Sequence, residues 1–208
     1  ITAGRLAFGQ TLYFASSKTA AMSLGYVTFD GGYLASGGLS TAQTLDYGPS
    51  RSLNFSAYTT TFASGYVTSG RPATTGQTAD YGSGRSAAVS ISGDVTFAGG
   101  YLTSAKLSVA QSLYYASGQT VTCSVGTAAS FGGSGYLTAG LMSVSQTVYY
   151  GPGRTVSLMA GPETTQFDGS NYVSHGRLNV TQMLQTSSGS ISVSGGTYVD
   201  FNGGYYAP

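Results

Sequence analysis

The chain has 208 residues, of which 7% are charged and 41% hydrophobic, and its formal net charge is +1. An ordinary globular chain has about 25% charged residues. A near-neutral chain without a basic run lacks the electrostatic footprint of a nucleic-acid-binding protein, and no window of about 20 apolar residues is present to span a membrane. The chain begins at Ile1 without a charged segment followed by an apolar run, so we expect a processed mature protein or a piece of a longer one.

Six copies of one repeat fill the chain. A phrase such as QTLDYGPSR occurs once in each copy, and its leading glutamine recurs every 33 to 36 residues: Gln10, Gln43, Gln77, Gln111, Gln146 and Gln182. A fixed period of this length predicts a repeat architecture, here as one domain. Its copies are approximately 1–31, 32–64, 65–99, 100–134, 135–170 and 171–203, and 204–208 begin a further copy.

The residues around each glutamine alternate with period two. The pattern L-x-V-x-Q-x-L-x-Y, as in Leu107 to Tyr115, predicts a half-buried strand of about nine residues. The alternation puts the glutamine on the apolar face, where an amide without partners costs about 1–3 kcal/mol. We therefore expect the six glutamine amides to bond to one another in a ladder through the stacked copies.

A second strand follows each hairpin tip. It carries one apolar residue per copy, in the column Met22, Phe55, Val89, Cys123, Leu158 and Val193. The single cysteine shares this column with Met, Phe, Val and Leu, so we interpret it as a small buried hydrophobe. One cysteine also excludes an intrachain disulfide framework.

A tight turn is expected between a recurring phenylalanine and a recurring tyrosine. The residue before the tyrosine is Gly32, Gly65, Gly100, Gly135, Asn171 or Gly204. Glycine replaced only by asparagine indicates positive φ, since these residues tolerate the left-handed region best.

Each copy therefore holds four short strands, and helical periodicity is absent. The fold class is all-β, as six tandem copies of about 34 residues. Propeller blades need about 40 residues or more, so we favour a β-solenoid-like stack. The alternative is a small six-bladed ring closed by the C-terminal strand.

The two ends of the chain complement each other. Residues 1–5 align with 102–106 and lack the leading Gly-Tyr, which residues 203–208 supply. The first copy is also as apolar as the middle ones, whereas monomeric solenoids need polar caps. We expect head-to-tail assembly through Ile1, Tyr205 and Tyr206, because such a contact gives a filament when it does not close.

No catalytic, metal or cofactor site is expected. His175 and Glu163 lie in loop-like segments, and Asp46 and Asp80 share an outward position that tyrosine fills in other copies. A basic column stands at the hairpin tips, where it either contacts an anionic polymer or a neighbouring subunit, or keeps the surface soluble and blunts a strand edge. Its members are Lys18, Arg51, Arg85 and Arg154. Asn54 and Asn179 match the N-glycosylation acceptor pattern.

In composition, the Gly/Ser/Thr-rich repeats over all 208 residues resemble the repeat regions of bacteriophage fibres and of bacterial surface filaments or adhesins. The resemblance implies a structural, non-enzymatic protein outside the cell, on the cell surface or on a virion, whose partners are other copies of itself. The alternative is a carbohydrate-binding adhesin or lectin-like module. That module would bind a cell-surface glycan through the repeated tyrosines and basic tips.

Overall fold

The computed structural model describes residues 1–74, 76–90, 93–168 and 171–208. These residues form strands joined by turns and bends, which confirms the all-β class. None of the described segments is a helix long and apolar enough to cross a membrane. The chain divides into two compact units, Ile1–Ser108 and Val109–Pro208, and each is described by itself.

Unit 1 contains β1 to β13 among its described residues. Their bounds are β1 Ala3–Arg5, β2 Gln10–Ala15, β3 Lys18–Met22, β4 Tyr26–Asp30, β5 Tyr33–Gly38, β6 Gln43–Gly48, β7 Arg51–Phe55, β8 Thr59–Ala63, β9 Tyr66–Gly70, β10 Gln77–Gly82, β11 Arg85–Val89, β12 Val95–Ala98 and β13 Tyr101–Lys106.

Unit 2 contains β14 to β25 among its described residues. Their bounds are β14 Gln111–Ala116, β15 Gln119–Cys123, β16 Ala128–Phe131, β17 Leu137–Gly140, β18 Gln146–Gly151, β19 Arg154–Leu158, β20 Thr165–Phe167, β21 Val173–Arg177, β22 Gln182–Thr186, β23 Gly189–Val193, β24 Tyr198–Asn202 and β25 Tyr205–Ala207.

Two kinds of hairpin alternate along the chain. The first kind starts at the repeated glutamine and pairs only with itself; we call these the glutamine hairpins: β2–β3, β6–β7, β10–β11, β14–β15, β18–β19 and β22–β23. The second kind joins edge to edge in chain order within each unit into an antiparallel meander; we call these the sheet hairpins: β4–β5, β8–β9 and β12–β13 in unit 1, and β16–β17, β20–β21 and β24–β25 in unit 2. In each unit the glutamine hairpins pack on one face of the sheet.

The turn residues explain both hairpins. In the first five glutamine hairpins a residue with positive φ, such as Ser50 or Gly153, precedes the returning strand, and the pairing shifts by one residue near the tip. This is the pattern of a three-residue loop with a bulge. Four sheet hairpins turn through two positive-φ residues, as at Gly99 and Gly100, which matches the twist of the flanking strands. The six turn positions expected from the sequence all have positive φ, between 74° and 90°.

The core of each unit lies between the sheet and its glutamine hairpins. The column from Met22 to Val193 is buried in every copy, with at most 8% exposure. Small residues of the sheet face this column. A Cβ on Gly70 would lie 2.8 Å from Cδ1 of Phe55, and one on Gly176 would lie 2.5 Å from Cδ1 of Leu158. Hydrophobic packing at close range therefore sets where these small residues must stand.

One expectation about the architecture needs correction. The nine-residue strand is interrupted, because in Leu107 to Tyr115 the strand begins only at Gln111, and Val109 is exposed. The serine-containing bend at 108–109 turns the chain from the sheet to the hairpin. The stacked arrangement stands, whereas neither unit contains separate four-stranded blades, since its sheet hairpins join into one open meander.

Candidate functional site

Within each unit, glutamines connect a glutamine hairpin to the one before it. Gln43 accepts a hydrogen bond from the main-chain N–H of Ala21 at 2.7 Å and donates one to the carbonyl of Ala21 at 2.6 Å. The same pair of bonds joins Gln77 to Asn54, Gln146 to Thr122 and Gln182 to Ser157. The prediction that the amides bond to one another is therefore wrong for these four glutamines. Their amides bond to main chain, because the groups left open at the neighbouring strand edge are peptide groups.

Stacked rings join four glutamine hairpins to the second sheet hairpin that follows each of them along the chain. A phenylalanine of that sheet hairpin lies against a ring of the glutamine hairpin, with centroids 4.3 to 5.0 Å apart in the pairs Phe14–Phe62, Tyr47–Phe97, Tyr115–Phe167 and Tyr150–Phe201. Each such pair contributes about 0.5–1.5 kcal/mol beyond its buried area. Three of these rings are tyrosines, and the hydroxyl of Tyr47 also accepts a bond from the N–H of Asp80 at 3.0 Å. Burial raises the pKa of Tyr47 and of Tyr115.

The basic column makes contacts within the chain. Lys18, Arg51 and Arg154 lie over the rings of Tyr66, Tyr101 and Tyr205, at 4.0 to 4.2 Å from the centroid. Arg85 begins β11 at the equivalent position. A cation above a ring contributes roughly 0.5–1 kcal/mol at exposed sites.

Acidic residues complete this row at the tips. Lys18 pairs with Asp46 at 3.6 Å and Arg51 with Asp80 at 3.2 Å, each acid belonging to the next glutamine hairpin. Partly exposed pairs of this kind contribute about 0–1 kcal/mol. The carboxylates of Asp46 and Asp80 thus bind the neighbouring copy's cation, and they are held apart from each other by one repeat.

Cys123 is fully buried, and burial raises the pKa of its thiol to about 12. The prediction that it acts as a buried hydrophobe is confirmed, because a thiol that stays protonated is unreactive.

A polar cluster in unit 2 was missed by the sequence analysis. His175 lies within β21 and not in a loop, and its Nδ1 is 2.6 Å from Oδ1 of Asp200 on the paired strand β24. Its ring stacks on Tyr198, whose pKa is raised by a hydrogen bond with Glu163. The signal that pointed to a strand was the position of His175, directly before Gly176, the small residue that faces the core.

An open groove recurs at the hairpin tips of unit 1. The larger groove has a volume of about 500 Å³, and its lining includes Lys18, Asp30, Tyr33 and Ser64. The second, of about 360 Å³, lies one copy further along and its lining includes Tyr47, Tyr66 and Gly99. Equivalent residues of successive copies line the two grooves, so they are the same feature repeated.

Unit 1 leaves surface of the repeat uncovered at its first glutamine hairpin and first sheet hairpin. Tyr33 is 44% exposed and Phe29 is half-buried, whereas Phe62, Phe97 and their counterparts are buried. Gln10, which opens the first glutamine hairpin, is exposed as well. Ile1 is also fully exposed. These positions are the ones that a preceding copy covers elsewhere in the chain.

Unit 2 leaves the opposite surface uncovered in its last copy. Ile191 is 46% exposed, although its counterparts Ala20, Leu53, Ala87, Val121 and Val156 are at most 4% exposed. Tyr205 lies under Arg154, and Tyr206 contacts the edge of the Phe201 ring. The β22–β23 hairpin therefore presents an uncovered face in the same copy as Tyr205, which is itself 37% exposed.

The two glycosylation candidates are on the surface. Asn54 accepts a hydrogen bond from the hydroxyl of Thr44, and Asn179 accepts one from Ser145 at 3.3 Å. Both asparagines are exposed.

The residues described by the structure contain no group of three or more His, Cys, Asp or Glu side chains able to hold a metal ion. Comparison with protein-family models, with curated proteins and with solved structures found no match to the chain.

Proposed function

We propose that this chain is a structural, non-enzymatic repeat protein whose molecules join head to tail into an extracellular or virion-associated fibre. The observation that carries the proposal is that one contact is used again and again. A glutamine bridge, a ring pair and a capped tyrosine join each copy to its neighbour. A surface through which each copy packs on the next copy of the same chain is suited to packing on a copy of another molecule in the same way.

The sheet edges support the same proposal. Among the described residues, β1 pairs on one side only, with β4, and β25 pairs on one side only, with β24. An unpaired strand edge is a template for another chain. Each of these strands has three residues, while the equivalent strand β13 has six. By alignment β25 corresponds to the first half of β13 and β1 to the second half, so the two halves of different molecules make one complete strand.

Negative-stain electron microscopy tests this proposal. The full chain is imaged at several concentrations beside a variant that lacks Gly203 to Pro208 and therefore β25. We expect filaments whose length grows with concentration and that shorten or vanish on truncation. Thermal melting of both proteins controls for loss of folding. Discrete particles of constant size at every concentration would contradict the fibre.

The repeated groove favours a second candidate, a carbohydrate-binding module. Sugar rings stack on aromatic faces, and the grooves offer Tyr33 and Tyr66 with the hydroxyl of Ser64 and the carboxylate of Asp30 beside them. Equivalent sites in successive copies are suited to a repeating glycan, because linked sites bind more tightly than one alone.

Titration with neutral oligosaccharides, followed by NMR shifts of the tyrosine rings, tests the binding module. We expect shifts in Tyr33 and Tyr66 and their loss in the Tyr33→Ala variant. Tyr13→Ala is the matched control, because Tyr13 is an exposed tyrosine that does not line the groove. Equal effects of the two substitutions would contradict this candidate.

A further inference from the structure

The two uncovered surfaces are the two halves of the contact seen inside the chain. In that contact, the main chain of one glutamine hairpin receives the glutamine of the next copy. The receiving residues, Ala21, Asn54, Thr122 and Ser157, occupy the same position of the returning strand. In the last hairpin this position is Ser192, which pairs with Met183 as Asn54 pairs with Thr44.

Gln10 is the glutamine left over at the other end of the series. It opens β2 as Gln43 opens β6, and it is exposed while the other five glutamines are partly covered. Among the described residues, unit 1 has no glutamine hairpin ahead of β2 for Gln10 to bind. Gln10 and the main chain of Ser192 therefore carry the groups that form the same pair of hydrogen bonds four times within the units.

The exposure of Ile191 indicates the same contact between the last glutamine hairpin and the first copy. A side chain at this position is at most 4% exposed in the other five hairpins, and Ile191 is 46% exposed. The sheet surface of the first copy is undercovered, since Phe29 has no ring stacked on it among the described residues. Removing this side chain from water in the contact favours association.

We propose that the β22–β23 hairpin of one molecule docks on the β4–β5 sheet hairpin of a second copy of this chain. In the joint, the amide of Gln10 accepts a bond from the N–H of Ser192 and donates one to its carbonyl, and Ile191 becomes buried. This inference rests on the proposed head-to-tail assembly and names its contacts. The occupant is a second copy because the joint continues an interface that already forms between copies within each unit.

The tip of the docking hairpin sets the strength of the joint. Where Tyr47 stacks on Phe97, the last hairpin has Thr186, four residues after its glutamine as Tyr47 is after Gln43. At the position of Arg51 it has glycine, Gly189. The joint thus lacks the ring pair and the cation of the internal contacts, so it is weaker than they are and reversible with concentration.

Sedimentation velocity over a concentration series tests the joint with four single variants. We expect Gln10→Ala to weaken association about ten- to a hundredfold, since it removes two hydrogen bonds of about 0.5–1.5 kcal/mol each. Ile191→Lys should abolish association. Met183→Lys is the matched control, because Met183 is also an exposed apolar residue of this hairpin. It belongs to the pair next to that of Ile191, so its side chain lies on the opposite face of the hairpin. Thr186→Tyr should tighten association several-fold by supplying a ring for Phe29.

The outcomes separate the joint from the assembly itself. Association of the wild type that is unchanged by both Gln10→Ala and Ile191→Lys overturns this inference and leaves the fibre standing. A wild type that stays monomeric at every concentration overturns the fibre and the joint together. All four positions are on the surface or at its margin, so unchanged thermal melting shows that the variants remain folded.

Discussion

Position 176 requires glycine because the side chain of Leu158 packs directly against it. A Cβ at position 176 would lie 2.5 Å from Cδ1, 3.3 Å from Cδ2 and 3.4 Å from Cγ of Leu158, which is fully buried. Ordinary carbon contacts are about 3.5–4.0 Å, and three atoms of one side chain are involved, so rotation about χ2 does not relieve the overlap. Overpacking costs about 1–3 kcal/mol, from which about 0.4–1 kcal/mol is recovered by the stiffer unfolded chain. We expect Gly176→Ala to destabilise unit 2 by about 1–2 kcal/mol.

Unit 1 contains the compensating pair. There Val89 occupies the position of Leu158 and Ala105 that of Gly176, and both are buried. Leu158→Val alone removes one methylene and should cost about 1 kcal/mol. The double variant should cost no more than Leu158→Val by itself, because alanine then fills the space that the leucine vacates.

Urea unfolding followed by circular dichroism measures all three variants, and the double-mutant cycle gives the coupling energy directly. Gly161→Ala is the matched control in the same unit, since a Cβ there meets nothing within 4 Å. Additive costs in the cycle, or an equal cost at Gly161, would refute the packing argument.

Three further predictions follow from the buried groups and the turns. Burial raises the pKa of Tyr47 and Tyr115 above 10.0, so their stabilisation is complete below the unfolded pKa and is lost as pH rises through the folded value. The unfolding free energy, measured in denaturant from pH 8 upwards, should fall above about pH 10, and a Tyr47→Phe, Tyr115→Phe variant should fall less; identical slopes would argue against this cause. Cys123, with a pKa of about 12 and no exposure, should react with Ellman's reagent only at the rate of opening, and immediate reaction of the native protein would contradict its assignment. Asn171, at φ 88°, should be replaceable by glycine without loss of melting temperature, whereas Asn171→Val should cost roughly 1–3 kcal/mol; equal melting temperatures would show that the turn does not need positive φ.

Much of the local structure could be predicted from the sequence because it is governed by neighbours along the chain. The turn at Asn171 followed from the few residues that tolerate positive φ, and the burial of Cys123 followed from its place in an apolar column. The start of each glutamine hairpin was predictable to within a few residues. The exposure of Val109 was not, because a bend separates it from the strand whose alternation it continues.

The sequence by itself determined the period, the strand class, the turns and the buried column, since each is encoded in a spacing that one copy repeats for the next. Only the tertiary structure decided which copies meet. Lys18 lies over Tyr66, the second of the recurring tyrosines that follow it, and not over Tyr33, the first. Gln43 binds the main chain of Ala21 rather than another glutamine. The physical reason is that packing between hairpins fixes where the peptide groups of a strand edge and the face of a ring are placed. The spacing of residues along the chain does not determine which strand edge lies next to a given hairpin.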